Sequence, residues 1–143
     1  MSTNTMGGAR PRNEGDCYYT PQPLADAICR RLREVIGEVD YALEPSVGGG
    51  SFVAPARMAW PAAHIAAADA DARLRRSDHP ALRAADSFSP GCRWEDCDLT
   101  NETPWRVAQR HLIVGNPPFL LAGSHVRIAL DRLGHATATE PQP

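Results

Sequence analysis

Two stretches of this chain carry apolar residues at three- and four-residue intervals. In the first, Leu24, Ile28, Leu32, Val35 and Ile36 fall on one face, opposite Asp26, Arg30, Arg31 and Arg33. That spacing predicts an amphipathic helix, with Thr20 as a good N-cap, Pro21 as its first residue and Gly37 closing it. The second stretch, His125 to Leu133, repeats the pattern at Val126, Ala129, Leu130 and Leu133, and Gly134 is expected to end it. Between them lie three short apolar runs of the kind found in buried parallel strands: Tyr41-Ala42-Leu43, Ala63 to Ala68, and Leu112-Ile113-Val114. Arg73 to Ala85 reads as helical with an interruption near Pro80, and Pro104 to Arg110 as a short helix or turn. Gly91 to Leu99 is a weaker strand candidate, because Arg93, Glu95 and Asp96 interrupt it.

Composition adds bounds. The 143 residues can form one modest domain with a real core, and 43% hydrophobic against 22% charged residues is ordinary for a globular protein. Met1 to Gly15 is polar and aperiodic and reads as a flexible arm; residues 16–134 carry the patterned domain, and His135 to Pro143 reads as a disordered tail. No apolar run approaches the roughly 20 residues that span a bilayer, and no secretory signal follows Met1. Cys17, Cys29, Cys92 and Cys97 lack metal or disulfide-framework spacing, so they are expected to be reduced thiols of a cytoplasmic protein with no metal and no membrane attachment. The net charge is −2 and every basic residue is arginine, so no strong basic footprint for nucleic acid stands out.

The candidate chemistry sits where strands end. Leu43 runs into Glu44-Pro45-Ser46-Val47-Gly48-Gly49-Gly50-Ser51-Phe52, a strand leading through a glycine-rich turn toward a helix, which is the arrangement of nucleotide sites. Glu44 would repel a pyrophosphate but could receive an ammonium group, which argues against a dinucleotide. The second strand ends at Asp69-Ala70-Asp71, about 20 residues beyond the glycines, where a ribose diol would be held. The third apolar run stops at Gly115-Asn116-Pro117-Pro118-Phe119. There Pro117 keeps Asn116 extended. The Asn116 side-chain oxygen and the Pro117 carbonyl can each accept one hydrogen of an exocyclic NH2, with Phe119 against the ring face. A proline-stiffened turn without chemistry is the alternative for Asn-Pro-Pro taken alone.

Taken together, Tyr18-Tyr19-Thr20-Pro21, Leu43-Glu44-Pro45-Ser46-Val47-Gly48-Gly49-Gly50-Ser51-Phe52, the acidic strand end and Val114-Gly115-Asn116-Pro117-Pro118-Phe119 resemble the S-adenosylmethionine-dependent amino-methyltransferases of DNA, especially the adenine-N6 branch. The resemblance covers about Asp16 to Leu133. It implies an α/β, Rossmann-like methyltransferase fold with a parallel sheet. It also implies transfer of a methyl group from S-adenosyl-L-methionine to the amino group of a flipped adenine. Tyr19, Thr20 and Pro21 would border the methionine end of the cofactor. Glu44, Pro45, Gly48 and Gly50 would form its cradle, with Glu44 on the ammonium side. Asp69, or its neighbour Asp71, would hold the ribose and Asp98 the adenine N6. Asn116, Pro117, Pro118 and Phe119 would receive the target base. The upstream Tyr-Tyr-Thr-Pro favours DNA enzymes over the protein-glutamine methyltransferases that share the Asn-Pro-Pro turn; N4-cytosine methylation is a further alternative.

The chain departs from that family after its last helix, where a Thr/Pro-rich tail stands in place of further strands. About four of the family's seven strands are found, so a truncated, non-catalytic remnant or one part of a split enzyme is the competing expectation. On that expectation Leu112, Ile113 and Val114 lie on an exposed sheet edge with an uncovered apolar face, open to self-association or to a complementing chain.

Overall fold

The computed structural model describes residues 19–76, 78, 80–96, 99–118 and 122–137. The fold is α/β, Rossmann-like, with a four-stranded, all-parallel sheet in the order β3-β2-β1-β4. Strand β1 (Tyr41–Glu44) lies inside, with β2 (His64–Asp69) on one side and β4 (His111–Ile113) on the other. Tyr41 stands opposite both His64 and His111, and Leu43 opposite both Ala66 and Ile113. β3 (Ser87–Pro90) extends the sheet beyond β2.

Alternation along the strands builds two cores. Ala42, Ile65, Ala67 and Val114 face α1 (Gln22–Ile36) and α2 (Val53–Ala59), where they meet Ala25, Cys29, Val53 and Ala56. Tyr41, Leu43, Ala66 and Ala68 face the other way, against Trp94, Leu99 and the Trp105 of α3 (Thr103–Val107). Ile128, Ala129 and Leu133 of α4 (Ala122–Thr137) cover the same side. Trp60, fully buried at the end of α2, fixes the corner by donating its indole N–H to the Gly37 carbonyl at 2.7 Å.

Several expectations need correction. The fourth strand is not Gly91 to Leu99 but Ser87–Pro90, which carries one large apolar residue and so lacks a visible run. Pro90 is tolerated at the end of an edge strand. Gly91, at φ 79, then turns the chain so that Trp94 is driven into the core instead of Arg93 and Glu95 being threaded through the sheet. Helix α1 begins at Gln22, one residue later than expected, and Pro21 rather than Thr20 stands at its cap, with no side-chain cap bond from that position. Gly134 does not end α4: its backbone is not left-handed, and the helix runs from Ala122 to Thr137. Where an interrupted α-helix was expected over Arg73 to Ala85, the described residues form two 3₁₀ turns, Ala72–Arg76 and Pro80–Ala84. Strand β4 is an edge of the described sheet, and its faces are covered in part: Leu112 packs on the α1/α2 core and Ile113 on the opposite core that α4 helps to form, each half-buried, and Ile113 also borders a cleft against α4. Cys92 is disulfide-bonded, not a reduced thiol; Cys29 is free and buried. The arm at 1–15 and residues 138–143 of the expected tail lie outside the described residues.

Candidate functional site

In an open parallel sheet the ligand crevice lies at the carboxyl ends of the strands, where the order reverses direction. Here the chain builds β1, β2 and β3 outward on one side and then returns to place β4 on the other side of β1. The reversal therefore falls between β1 and β4. The carboxyl ends there carry the Glu-Pro-Ser-Val-Gly-Gly-Gly turn and Gly-Asn-Pro-Pro, so the topology alone brings the two candidate motifs side by side.

The glycine turn is held from three directions. Val47 donates its backbone N–H to the Ala68 carbonyl of β2 at 2.9 Å, and Gly50 donates to the Val47 carbonyl at 2.8 Å. Gly48, at φ 51, donates to Asp69 Oδ2 at 2.8 Å. The Ser51 hydroxyl donates to the Thr20 carbonyl at 2.7 Å, and the Gln22 amide to the Ser51 carbonyl at 2.8 Å, which pins the start of α1 to the turn. Gly50, at φ 87, needs a conformation that side chains rarely adopt.

Glu44 is the junction of the two motifs. It is 5% exposed, and its Oε1 accepts the Ser46 backbone N–H at 2.8 Å. The backbone N–H of Asn116 donates to the same carboxyl group. One buried side chain thus satisfies donors from both the glycine turn and the Asn-Pro-Pro turn. Burial pushes its pKa up to about 8, with the Asp69 carboxylate adding to the rise and the two backbone donors opposing it. Gly115 makes room for this carboxyl group: a Cβ there would lie 2.2 Å from Oε1 and 2.4 Å from Oε2. Glu44 thus serves both loops, which the sequence reading did not assign to it.

Asp69 and Asp71 separate clearly. Asp69 stays at the glycine turn, accepting from Gly48 on Oδ2 and from the Asp71 N–H on Oδ1, both at 2.8 Å. Asp71 is engaged by Arg73 through two side-chain bonds of 2.9 Å, and that guanidinium pairing holds its carboxyl below the usual range. The Tyr19 ring packs over the glycines: a Cβ on Gly48 would meet Tyr19 Cε1 at 3.0 Å. Beneath it, Thr20, Glu44, Ser46, Gly48 and Asn116 enclose room for only about 20 Å³, the space of one water. Pro21 caps α1, and Pro45 is buried in the turn. Asn116, Pro117 and Pro118 are described; Phe119 and Asp98 lie outside the described residues.

A second, larger cleft of about 240 Å³ opens on the far side of Glu44 and Ser46, between β4 and α4. Gly115, Pro117 and His125 line it together with the apolar side chains of Ile113 and Leu130. Gly115, Ser46 and His125 carry no role in the sequence reading above. Their importance comes from pairings across 71 and 79 positions that periodicity cannot show. Among the described residues no three His, Cys, Asp or Glu side chains gather to hold a metal, and no helix is long and apolar enough to cross a membrane. Comparison with protein-family models, curated proteins and solved structures finds no match to this chain.

Proposed function

We propose that this chain is the cofactor-binding and catalytic part of an S-adenosylmethionine-dependent DNA methyltransferase that acts on the N6 amino group of a flipped adenine. The observation that carries the reading is the junction at Glu44. It holds an Asn-Pro-Pro turn, which suits an amino nitrogen, against a glycine turn, which suits a close-fitting ligand backbone. The acidic and glycine groups suit the cofactor chemically: Gly48 and Gly49 leave a side-chain-free cradle, and the Asp69 oxygens retain lone pairs for ribose hydroxyls. The space under Tyr19 does not admit it until that half-exposed ring swings out.

When bound, the cofactor supplies an already activated methyl group, so the protein's task is placement. Asn116 and Pro117 offer oxygen acceptors to the hydrogens of the target amino group. That favours a nitrogen whose lone pair is turned out of the ring, which is stabilisation specific to the transition state. By the family resemblance Phe119 would stack on the base. A cytoplasmic setting with DNA as substrate goes with this reading.

Calorimetric titration with S-adenosylmethionine tests the first half, and tritiated-methyl transfer to adenine-containing DNA the second. Binding is expected, and Asp69→Asn should weaken it by about tenfold. Gly50→Leu should abolish it, with circular dichroism used to check that the chain still folds. Asn116→Ala should spare cofactor affinity and lower transfer by about 100-fold or more, the usual cost of losing one acceptor at a reacting centre. Equal loss of binding and transfer in Asn116→Ala would make Asn116 structural. Absence of both heat and thermal shift with the wild-type chain at millimolar ligand would overturn the cofactor assignment.

The second reading, a non-catalytic remnant or one subunit of a split enzyme, draws on the closed space under Tyr19 and on the open hydrogen-bonding edge of β4. It predicts self-association or capture of a strand from a complementing chain on that edge. Light scattering after size exclusion would separate the two: a stable monomer with repeated turnovers would exclude the second reading.

A further inference from the structure

We propose that the outer edge of β4 and the apolar residues of α1 and α4 that flank it form one docking surface, whose occupant is the β4 edge of a second copy of this chain. The proposal commits the open edge of the second reading to one partner, and it does not rest on methyl transfer.

Both helices beside β4 leave apolar residues unburied on the same side of the sheet. On α1, Gln22 bonds to the Ser51 carbonyl just before α2, and Arg33 to the Ala59 carbonyl at the end of α2. Those two residues mark the side of α1 that faces α2. Leu24 and Val35 each follow one of them by two positions, about 200° round the helix, and so project from the opposite side. They are 51% and 64% exposed. The 3₁₀ turn Pro80–Ala84, which leads to β3, also packs on α2, and Leu112 of β4 joins the α1/α2 core, so α1 takes the β4 side of that face. The side of α1 turned away from α2 therefore overlooks the β4 edge.

Helix α4 repeats this on the other face. Arg132 stands over the Trp94 ring, 5.9 Å from its centroid, and Ile128 packs in the Trp94 cluster with residues of β1 and β2. Val126 and Leu130 each precede one of these by two positions, so they project away from β2, toward the β4 edge. They are 54% and 65% exposed, and they line the 240 Å³ cleft together with Ile113 of β4.

Between the two helices, half of the β4 backbone is turned outward. Val114 donates its N–H to the Leu43 carbonyl, and the Arg110 carbonyl accepts from Tyr41, so these residues bond toward β1. Alternation along the strand then points the N–H and C=O groups of His111 and Ile113 away from β1. Among the described residues no strand pairs with that side. The sheet's other edge is blunted: β3 carries Ser87 and Ser89 and ends in Pro90, which has no N–H. β4 has no such device.

A partner for this surface needs an open strand edge with apolar residues above and below it, and the β4 edge of a second copy supplies them. A two-fold axis perpendicular to the sheet at Leu112 pairs His111 of one copy with Ile113 of the other in antiparallel register. It also sets α1 beside α1 on one face and α4 beside α4 on the other. A lone strand would satisfy the edge but bring no helix to cover Leu24, Val35, Val126 and Leu130. The blunted β3 edges then face outward at both ends of the joined sheet, so assembly stops at two copies.

The test is sedimentation equilibrium of the intact chain over a concentration series, without cofactor or DNA, with amide exchange read by NMR at both ends of the series. The mass should rise to twice that of one chain and no further. Over the same range exchange at His111 and Ile113 should slow severalfold, while Leu112 and Val114, whose amides face β1, should change little. Leu24→Glu and Leu130→Glu, at exposed positions, should each weaken association by about tenfold or more, because pairing would bury the new charge. Met58→Glu, on the exposed side of α2, should leave association unchanged. Circular dichroism of each variant in dilute solution checks that it folds. A single-chain mass at every concentration up to millimolar, a mass beyond two chains, or association with unchanged exchange at His111 and Ile113 would overturn the proposal. A monomer that still transfers methyl groups would remove the dimer alone, and a dimer that binds no S-adenosylmethionine would remove the methyltransferase reading alone.

Discussion

Gly115→Ala is expected to destabilise the chain by about 4 kcal/mol and to lower its melting temperature by roughly 10 °C or more. The cause is not backbone strain, because the Gly115 φ lies outside the left-handed region. The cause is the Glu44 carboxyl group, which would lie 2.2–2.5 Å from the new methyl carbon. A carboxyl at the end of a flexible side chain could ordinarily swing away. This one is 5% exposed and bonded to the N–H groups of Ser46 and Asn116, so moving it strands at least one buried donor. Overpacking and an unpaired buried N–H each cost about 2 kcal/mol. Urea unfolding of Gly115→Ala, Glu44→Ala and the double variant measures the coupling. Because the clash requires the carboxyl group, Gly115→Ala should cost far less in the Glu44→Ala background. Additive losses would mean that the two residues do not meet.

The second large effect is on pH dependence. The pKa of Glu44 is raised from 4.5 in the unfolded chain to about 8 in the fold, mainly by burial. Between those values the unfolded chain has released the proton and the folded chain retains it. Stability from this group is therefore fully present below about pH 4.5, falls as pH rises, and is lost above about pH 8. The total is on the order of 5 kcal/mol. Asp40, Asp71 and Asp86, whose values are lowered, act in the opposite sense in the acid range and are shared by any Glu44 variant. The difference between the wild-type chain and Glu44→Gln isolates the one group. Its unfolding free energy relative to Glu44→Gln should fall steadily between pH 5 and 8. Parallel profiles would show that Glu44 is ionised in the fold or that water reaches it.

The strand runs at Tyr41, Ala63 and Leu112 were legible because parallel strands buried on both faces are continuously apolar. The α1 stripe was legible only in part: Ile28 and Leu32 pack on the core, but the buried face is centred on Ala25 and Cys29, and Leu24, Val35 and Ile36 stay exposed. Ser87-Phe88-Ser89-Pro90 was not: an edge strand needs little apolar surface, and its pairing with Ala66 to Asp69 decides its conformation. Gly134 misled because glycine ends a helix only where the backbone turns left-handed, and packing of Ile128, Ala129 and Leu133 keeps α4 going. At the site, the glycine turn and Asn116 stood out by residue type. The work of Glu44, Gly115 and His125 did not, because it depends on which strand ends become neighbours.

That neighbourhood also sets an order of assembly. The glycine turn is bounded by β1 and β2, whose paired residues Tyr41 and His64 are close in sequence, whereas Asp40 bonds to the Arg110 N–H across 70 positions. Closing the longer loop costs about 1 kcal/mol more in chain entropy. The glycine-turn side of the crevice can therefore form first as a local parallel β–α–β unit of strand, turn, helix and strand. The Asn-Pro-Pro side exists only after β4 docks, and docking completes the burial of Glu44. Protonation of that carboxyl group and docking of β4 are therefore linked: the burial that docking completes favours the uncharged form.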